Sequence, residues 1–239
     1  LPNLLDHDSM AEVSQQSKAW VPLLGIKCHA DTQLFLCSLF APVCLDRPIY
    51  PCRSLCDNVR NGCESRMKTY GYPWPEMLRC EKFPMDNDMC IAPQAGSTHT
   101  IVEETGTCKA CSQEGTYENI LDHFCRADFV VKTKIRRGQD GFIQGKKSKV
   151  YKLGSLGKTE VNRPKFTVEN GRRCDCTFLK SVEKGPFLIM GRRESQGGLV
   201  ASFLLPWERK DRNFRIAVKK FRQLNCTDPK MVSESMLKD

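Results

Sequence analysis

The stretch "YPCRSLCDNVRNGC", from Tyr50 to Cys63, places three cysteines within twelve residues. It predicts a helix that begins at Pro51, because proline fits the first turn of a helix. On such a helix Cys52, Cys56 and Cys63 share one face. The stretch alone leaves metal ligands, a redox pair and disulfides open, and the rest of the chain is needed to decide between them.

The cysteine content of the whole chain favours disulfides. The 239 residues include 14 cysteines, and a high, even count is typical of a disulfide framework in an oxidising compartment. A cytosolic zinc protein is the alternative, since the pairs Cys108–Cys111 and Cys174–Cys176 could offer four thiolates to zinc. A C-x-C pair is an uncommon arm of a zinc site, however, and the four histidines lack ligand spacing. We therefore expect disulfides, no bound metal and no cofactor.

Charge and composition divide the chain into two predicted domains. Residues 1–91 hold nine Lys and Arg against eleven Asp and Glu, whereas residues 92–239 hold 28 against 17. The segment 92–107 is rich in Gly, Ser and Thr, a composition typical of linkers. We predict one domain at 1–91, a second at 108–226 and a C-terminal tail at 227–239.

The two predicted domains carry different secondary-structure signals. In the first, Ser9 and Glu12 form a capping-box pattern, and an apolar stripe at helical spacing runs from Met10 to Leu24. In the second, short β-branched or aromatic runs bounded by Gly or Pro predict strands. Asp211 then precedes an amphipathic helix, which we expect to pack on a small sheet or barrel.

No catalytic motif explains the chain. "GSLGKT", Gly154 to Thr159, ends like a phosphate-binding P-loop but has Lys152 where that motif requires its first glycine. The sequence contains no H-E-x-x-H, G-x-S-x-G or dinucleotide-binding motif. No apolar run reaches the roughly 20 residues that a membrane span needs. We expect a secreted, extracellular binding protein and not an enzyme.

Several strings besides the cysteine spacing carry a family resemblance. "LPNLLDH", "FLCSLFAPVC", "PCRSLC" and "YGYPWPEMLRC" closely resemble the cysteine-rich domain of Frizzled receptors. "CDC", "LIMG" and the basic helix ending in "QLNC" resemble a netrin-like domain. In this order the two domains resemble the secreted frizzled-related proteins. The resemblance implies a mainly α-helical, disulfide-rich frizzled-type cysteine-rich domain, followed by a netrin-like OB-type β-barrel domain with a C-terminal helix.

The resemblance also implies which cysteines pair. The implied pairs are Cys28–Cys63, Cys52–Cys90, Cys56–Cys80, Cys108–Cys174, Cys111–Cys176 and Cys125–Cys226. Frizzled domains have ten cysteines, and the matching part of this chain has eight. The other two belong upstream of Leu1, so Cys37 and Cys44 would find their partners there if the chain is trimmed. A Cys37–Cys44 bridge or free thiols are the alternatives.

The first implied function is inhibition of tolloid-type astacin metalloproteinases, which cleave chordin, an antagonist of bone morphogenetic proteins. Tissue inhibitors of metalloproteinases, which the second domain resembles, place the free amine of an N-terminal cysteine on the catalytic zinc. The equivalent Cys108 is internal and its nitrogen is an amide, so we expect the inhibitory surface on the first domain. The short loop between Cys44 and Cys52 would lose little entropy on binding. Its contact candidates are Asp46, as a mimic of the substrate aspartate after the scissile bond, with Arg47, Ile49 and Tyr50.

The alternative implied function is Wnt antagonism through a lipid groove. Frizzled domains bind the fatty acyl chain of Wnt in an apolar groove, and the same residues could instead only pack the domain core. The groove candidates are Leu4, Leu5, Tyr70, Tyr72 and Ile91.

Basic clusters in the second domain predict heparan sulfate binding, which is compatible with either function. Such clusters attract polyanions, with an affinity that falls as salt rises. A solvated basic face is the alternative, and an extracellular chain rarely meets nucleic acid. The candidates are Lys132, Lys134, Arg136, Arg137, Lys146, Lys147, Lys149, Arg215, Lys219, Lys220 and Arg222. Asn225 in "NCT" is a glycosylation candidate, although the cysteine at its centre favours partial occupancy at best.

Overall fold

The structure is a computed structural model that describes residues 2–86, 89–94, 108–137, 142–154, 156–157, 160, 163–169, 176 and 185–237. The chain divides into two compact units. One unit contains Leu1–Ile101 together with Asn225–Asp239, and the other contains Val102–Leu224.

The first unit is helical. Ser9 begins its first helix, since its hydroxyl accepts a hydrogen bond from the Glu12 amide over 3.2 Å, while the Glu12 carboxylate accepts from the amide of Asp8. This is the reciprocal arrangement of a capping box, displaced by one residue. The helices are α1 (Met10–Lys18), α2 (Val21–Ile26), α3 (Thr32–Phe40) and α4 (Arg53–Thr69), with short 3₁₀ turns at Glu76–Leu78 and Cys80–Lys82.

The apolar stripe from Met10 to Leu24 predicts helical structure, and the structure divides this segment between two helices. The structure ends α1 at Lys18 and begins α2 at Val21. Pro22 gives the physical reason, because proline has no amide hydrogen and fits only the first turn of a helix. The break leaves Trp20 between the two helices.

Each disulfide described in the first unit has one cysteine on helix α4 or directly before it. It begins after Cys52, and its buried face includes Leu55, Cys56 and Val59. Disulfides join Cys28 to Cys63, Cys52 to Cys90, and Cys56 to Cys80. The thiols of Cys37 and Cys44 are free and exposed.

The second unit is a closed five-stranded barrel with the strand order β1-β2-β3-β5-β4. All neighbouring strands are antiparallel except β3 and β5, which are parallel. Phe129 and Phe166 stack in the core with ring centroids 5.5 Å apart. The strands are β1 (Phe129–Arg137), β2 (Ile143–Lys152), β3 (Lys165–Val168), β4 (Pro186–Arg193) and β5 (Leu199–Pro206).

Among its described residues, the second unit also has two amphipathic helices, α5 (Tyr117–Arg126) and α6 (Arg212–Lys220). Asp211 caps α6, since its carboxylate accepts a hydrogen bond from the Phe214 amide over 2.8 Å. The rings of Phe124 and Phe221 stack at 4.2 Å and hold the two helices together.

The cysteines that resemble those of a netrin-like domain are disulfide-bonded wherever the structure describes them. A disulfide joins Cys111 to Cys176. Cys108, Cys125 and Cys226 are also disulfide-bonded. Cys174 lies outside the described residues, and the pairs Cys108–Cys174 and Cys125–Cys226 stay predictions.

The last helix, α7 (Pro229–Leu237), belongs to the first unit although it follows the second in the sequence. It packs beside α2. Among the described residues, no helix is both long and apolar enough to cross a membrane.

Candidate functional site

An apolar cavity of about 310 Å³ lies in the first unit, and we call it the groove cavity. Its lining includes Trp20, Leu23, Met67, Tyr70 and Tyr72. Ligand pockets are lined mostly by apolar and aromatic side chains and have volumes from about 300 Å³ upward. The cavity therefore has the size and chemistry of a site for an apolar ligand.

Helices α2 and α4 and the turn after α4 supply a large part of the lining of the groove cavity. Helix α2 contributes Leu23, which is 8% exposed, from its buried face. Helix α4 contributes Met67 near its C-terminal end. After that end Gly71 has φ +84°, a conformation that glycine adopts without strain.

The turn at Gly71 directs the chain back towards the end of α4. The Gly71 amide donates to the Lys68 carbonyl over 3.0 Å, and the Tyr72 amide donates to the Met67 carbonyl over 2.9 Å. These two bonds form a Schellman motif, which satisfies the last carbonyl groups of the helix. The motif fixes the backbone of Tyr72 beside Met67, and both side chains line the cavity.

The predicted groove residues divide into two groups. Tyr70 and Tyr72 line the groove cavity, whereas Leu4, Leu5 and Ile91 are absent from its lining. The Leu4 amide instead donates to the Leu39 carbonyl over 3.2 Å, and Ile91 forms a parallel bridge with Pro51. A groove role for Leu4, Leu5 and Ile91 therefore stays a prediction.

Sequence reasoning missed the part of the groove that α2 supplies. The string "AWVPLLGI", from Ala19 to Ile26, contains a signal that could have identified it. Pro22 indicates the start of a new helix. This helix has six residues with apolar side chains at nearly every position, so other parts of the protein or a ligand must cover it on more than one side.

The loop from Leu45 to Tyr50 is a second candidate surface. Asp46 and Arg47 are exposed, and Ile49 is half-buried. The C-terminal end of the loop is fixed, since the Ile91 amide donates to the Tyr50 carbonyl over 2.9 Å. The Cys52–Cys90 disulfide holds the same end. Its other end follows Cys44, which is exposed and has a free thiol in this structure.

A third surface, the basic cleft, lies on the barrel of the second unit. It has a volume of about 510 Å³. Strands β1 and β2 supply four lysines, because their antiparallel pairing sets Lys132 opposite Lys149. The cationic residues that line the basic cleft are Lys132, Lys134, Lys147, Lys149 and Arg209.

Lys132 has the most unusual environment in the basic cleft. Its Nζ lies 4.0 Å from the centre of the Trp207 ring, which is cation–π geometry. Burial, and then the positive charges of Arg209 and Lys149, hold its pKa below the ordinary lysine value. An anion that enters the cleft would relieve this repulsion. The sequence places Arg209 in a basic cluster that runs to Arg222, but it gave no reason to expect Trp207, which joins the lysines only in three dimensions.

The other heparan sulfate candidates lie outside the lining of the basic cleft. Lys146, Arg136, Arg215, Lys219 and Arg222 are exposed, and Lys220 is half-buried. The side chain of Arg137 lies outside the described residues. Arg222 lies close enough to Tyr151 to influence its ionisation, and Tyr151 in turn lies under Lys149.

The sequon at Asn225 is on the surface. Asn225 and Thr227 are exposed, and the Thr227 hydroxyl donates to the Asn225 side-chain oxygen over 2.7 Å. Glycosylation there stays a prediction.

In the part of the chain that the structure describes, no group of three or more His, Cys, Asp or Glu side chains could hold a metal ion.

These features define a class of protein, and comparison with known sequences assigns the chain to it. Residues 1–87 match the Fz domain family, and residues 122–220 match the UNC-6/NTR/C345C module. The chain is therefore a frizzled-type domain joined to a netrin-type domain.

Three relatives give the family. The chain is 47% identical over 234 residues to secreted frizzled-related protein 5 of Homo sapiens, covering 95% of this chain and 73% of the relative. It is 44% identical over 232 residues to secreted frizzled-related protein 1 of Mus musculus, covering 95% and 73%. It is 38% identical over 239 residues to secreted frizzled-related protein 2 of Gallus gallus, covering 95% and 81%. The chain belongs to the secreted frizzled-related protein family and is a secreted protein.

Proposed function

We propose that this chain is an extracellular antagonist whose frizzled-type domain binds the fatty acyl chain of Wnt proteins in the groove cavity. One observation carries the proposal: Trp20, Leu23, Tyr70 and Tyr72 converge on a single apolar cavity of about 310 Å³. Each methylene that such a cavity removes from water contributes about 0.8 kcal/mol. A Wnt protein held by its acyl chain would be withheld from its receptor.

A charge placed in the groove cavity tests this proposal. Met77 lines the cavity and is 40% exposed, so Met77→Glu introduces a carboxylate without disturbing a fully buried position. We expect the affinity for a palmitoleoylated Wnt peptide to fall at least about tenfold, because a carboxylate is costly beside an acyl chain. Met85→Glu is the matched control, since Met85 is 54% exposed and lies outside the cavity lining. No saturable binding to the native chain at high micromolar peptide would overturn the proposal.

The exposed loop from Leu45 to Tyr50 favours a second candidate function. Within its family the sequence resembles sizzled, which implies inhibition of tolloid-type astacin metalloproteinases. Such an inhibitor limits chordin cleavage, and so modulates bone morphogenetic protein signalling and dorsoventral patterning.

The geometry of the loop supports this second candidate. Asp46 is exposed and can reach a basic pocket of a proteinase, while the backbone bond from Ile91 to Tyr50 steadies the C-terminal end of the loop. A segment that is already ordered loses less entropy when it binds. The groove cavity does not include this loop, so the two candidate functions use different surfaces.

The basic cleft supports heparan sulfate as a further partner. Five cationic side chains line one cleft, and sulfate groups are the anions that such an arrangement suits in the extracellular space. This binding would concentrate the protein on cell surfaces and is compatible with either candidate function.

A further inference from the structure

Helix α7 covers part of the groove cavity with residues from the far end of the chain. Ser233, Met236 and Leu237 line the same cavity as Trp20 and Tyr72. Val232 is 1% exposed and Met236 is 6% exposed. The apolar face of α7 is therefore buried on the frizzled-type domain, where an acyl chain would need to lie.

The sequence of the tail specifies this helix. The Asp228 carboxylate accepts hydrogen bonds from the amides of Lys230 over 3.0 Å and Met231 over 3.2 Å. Pro229 follows at the first helical position, as expected of a helix start. Val232 and Met236 are four residues apart and so lie on one face.

Helix α7 can undock from the rest of its unit and dock again. A helix of nine residues is marginal in water, so α7 depends on its docking for stability. A side-chain hydrogen bond joins Ser233 of α7 to Tyr72 of the domain, and that bond is exposed. Cys226, just before α7, is disulfide-bonded, so a released helix would stay tethered at high local concentration and could dock again.

We propose that α7 is an autoinhibitory cover that competes with an acyl chain for the groove cavity. This inference rests on the proposed acyl-binding function. While α7 is docked, its own apolar face occupies one side of the groove, and a ligand must displace it. The observed affinity is then reduced by the fraction of molecules in which the cover is open. The affinity of the groove cavity for an acyl chain then depends on helix α7.

Two substitutions in this chain distinguish release of α7 from other effects. Met236→Asp places a carboxylate at a buried position facing the cavity and should release α7. Met231→Asp makes the same exchange at a position that is 40% exposed, in the first turn, where a negative charge is tolerated by the helix dipole. Circular dichroism melting checks that both variants remain folded.

The measurement is the Kd for a palmitoleoylated peptide, with the fluorescence of an apolar-surface dye such as anilinonaphthalene sulfonate beside it. We expect Met236→Asp to bind the peptide about tenfold more tightly than the native chain and to brighten the dye, while Met231→Asp matches the native chain in both. Unchanged or weaker peptide binding by Met236→Asp, with native binding intact, overturns the cover and leaves the proposed function standing. If no variant binds the peptide, the proposed function fails, and equal dye fluorescence in all three proteins then overturns the cover as well.

Discussion

The hydroxyl of Tyr72 donates a hydrogen bond to the hydroxyl of Ser233 over 3.3 Å, although 161 residues separate the two in the sequence. It joins the turn after α4 to the C-terminal helix. The bond is exposed, so its net contribution lies at the low end of about 0.5–1.5 kcal/mol.

Tyr72→Phe removes this bond and keeps the ring in the groove cavity. We expect amide hydrogen exchange within α7 to accelerate about twofold to tenfold, since docking loses one weak bond. Global unfolding should change little. Tyr50→Phe is the control, because Tyr50 is outside the cavity lining. Equal exchange rates in the native chain and in Tyr72→Phe would mean that the bond does not hold the helix.

Asp46→Ala tests the proteinase surface. If Asp46 mimics the substrate aspartate, loss of its carboxylate should raise the Ki against a tolloid-type proteinase cleaving chordin at least about tenfold, because a charge-assisted contact contributes about 1.5–3 kcal/mol. Asp8→Ala removes an exposed carboxylate of the same unit and should leave Ki unchanged. A folded Asp46→Ala protein with the native Ki would exclude this surface.

Lys149→Ala tests the basic cleft. We expect the affinity for heparin to fall about fivefold at low salt, as for the loss of one exposed ion pair of about 1 kcal/mol, and the difference to shrink as salt rises. Lys68→Ala, on the first unit, is the control with the same change in net charge. Equal elution of the two variants from heparin would show that only total charge matters.

The environment of Lys132 predicts how heparin binding depends on pH. Because its pKa is lowered, chiefly by burial, this ammonium loses its proton at a lower pH than an ordinary lysine does. Heparin affinity should therefore begin to fall, as pH rises, before ordinary lysines titrate near pH 10.4. Lys132→Arg keeps its charge throughout this range, so the early part of the fall should disappear. If Lys132→Arg shows the same pH profile as the native chain, groups other than Lys132 cause the early fall in heparin affinity.

Gly191 occupies a position in the barrel that has no room for a side chain. A Cβ at this position would collide with the Val200 carbonyl oxygen and the Phe129 ring. Gly191→Ala should lower the free energy of unfolding of the second unit by about 1–3 kcal/mol, measured in urea. Gly185→Ala is the matched control, since an added Cβ there meets nothing within 4 Å. Similar midpoints for both variants would contradict the close approach of β4 and β5 at this residue.

Local signals predicted the elements that carry strong caps or continuous apolar runs. The Asp211 cap and the apolar period behind it predicted α6, and four of the five strands were expected from β-branched runs. Strand β3 has only four residues, Lys165–Val168, and is recognised by its pairing with β5 rather than by its own sequence. Its assignment depends on tertiary contacts, which no local pattern contains.

Two helices that were not predicted nevertheless have recognisable signals at their N-terminal ends. Thr116 caps α5, accepting a bond from the Asn119 amide, and Asp228 with Pro229 begins α7. The groove cavity was predictable only in part. Tyr70 and Tyr72 follow one another closely in the sequence, but other parts of the lining come from α2 and from a tail more than 150 residues away.

The position of Trp207 under the Lys132 ammonium gives the protein an intrinsic optical reporter. The chain has three tryptophans, and Trp74 belongs to the first unit, where it donates its indole N–H to the Leu78 carbonyl. A polyanion that draws the ammonium from the Trp207 ring changes the emission of that indole, whereas an apolar ligand in the groove cavity changes the emission of Trp20. With Trp20→Phe and Trp207→Phe to assign the signals, two different ligands can be titrated on one unlabelled chain.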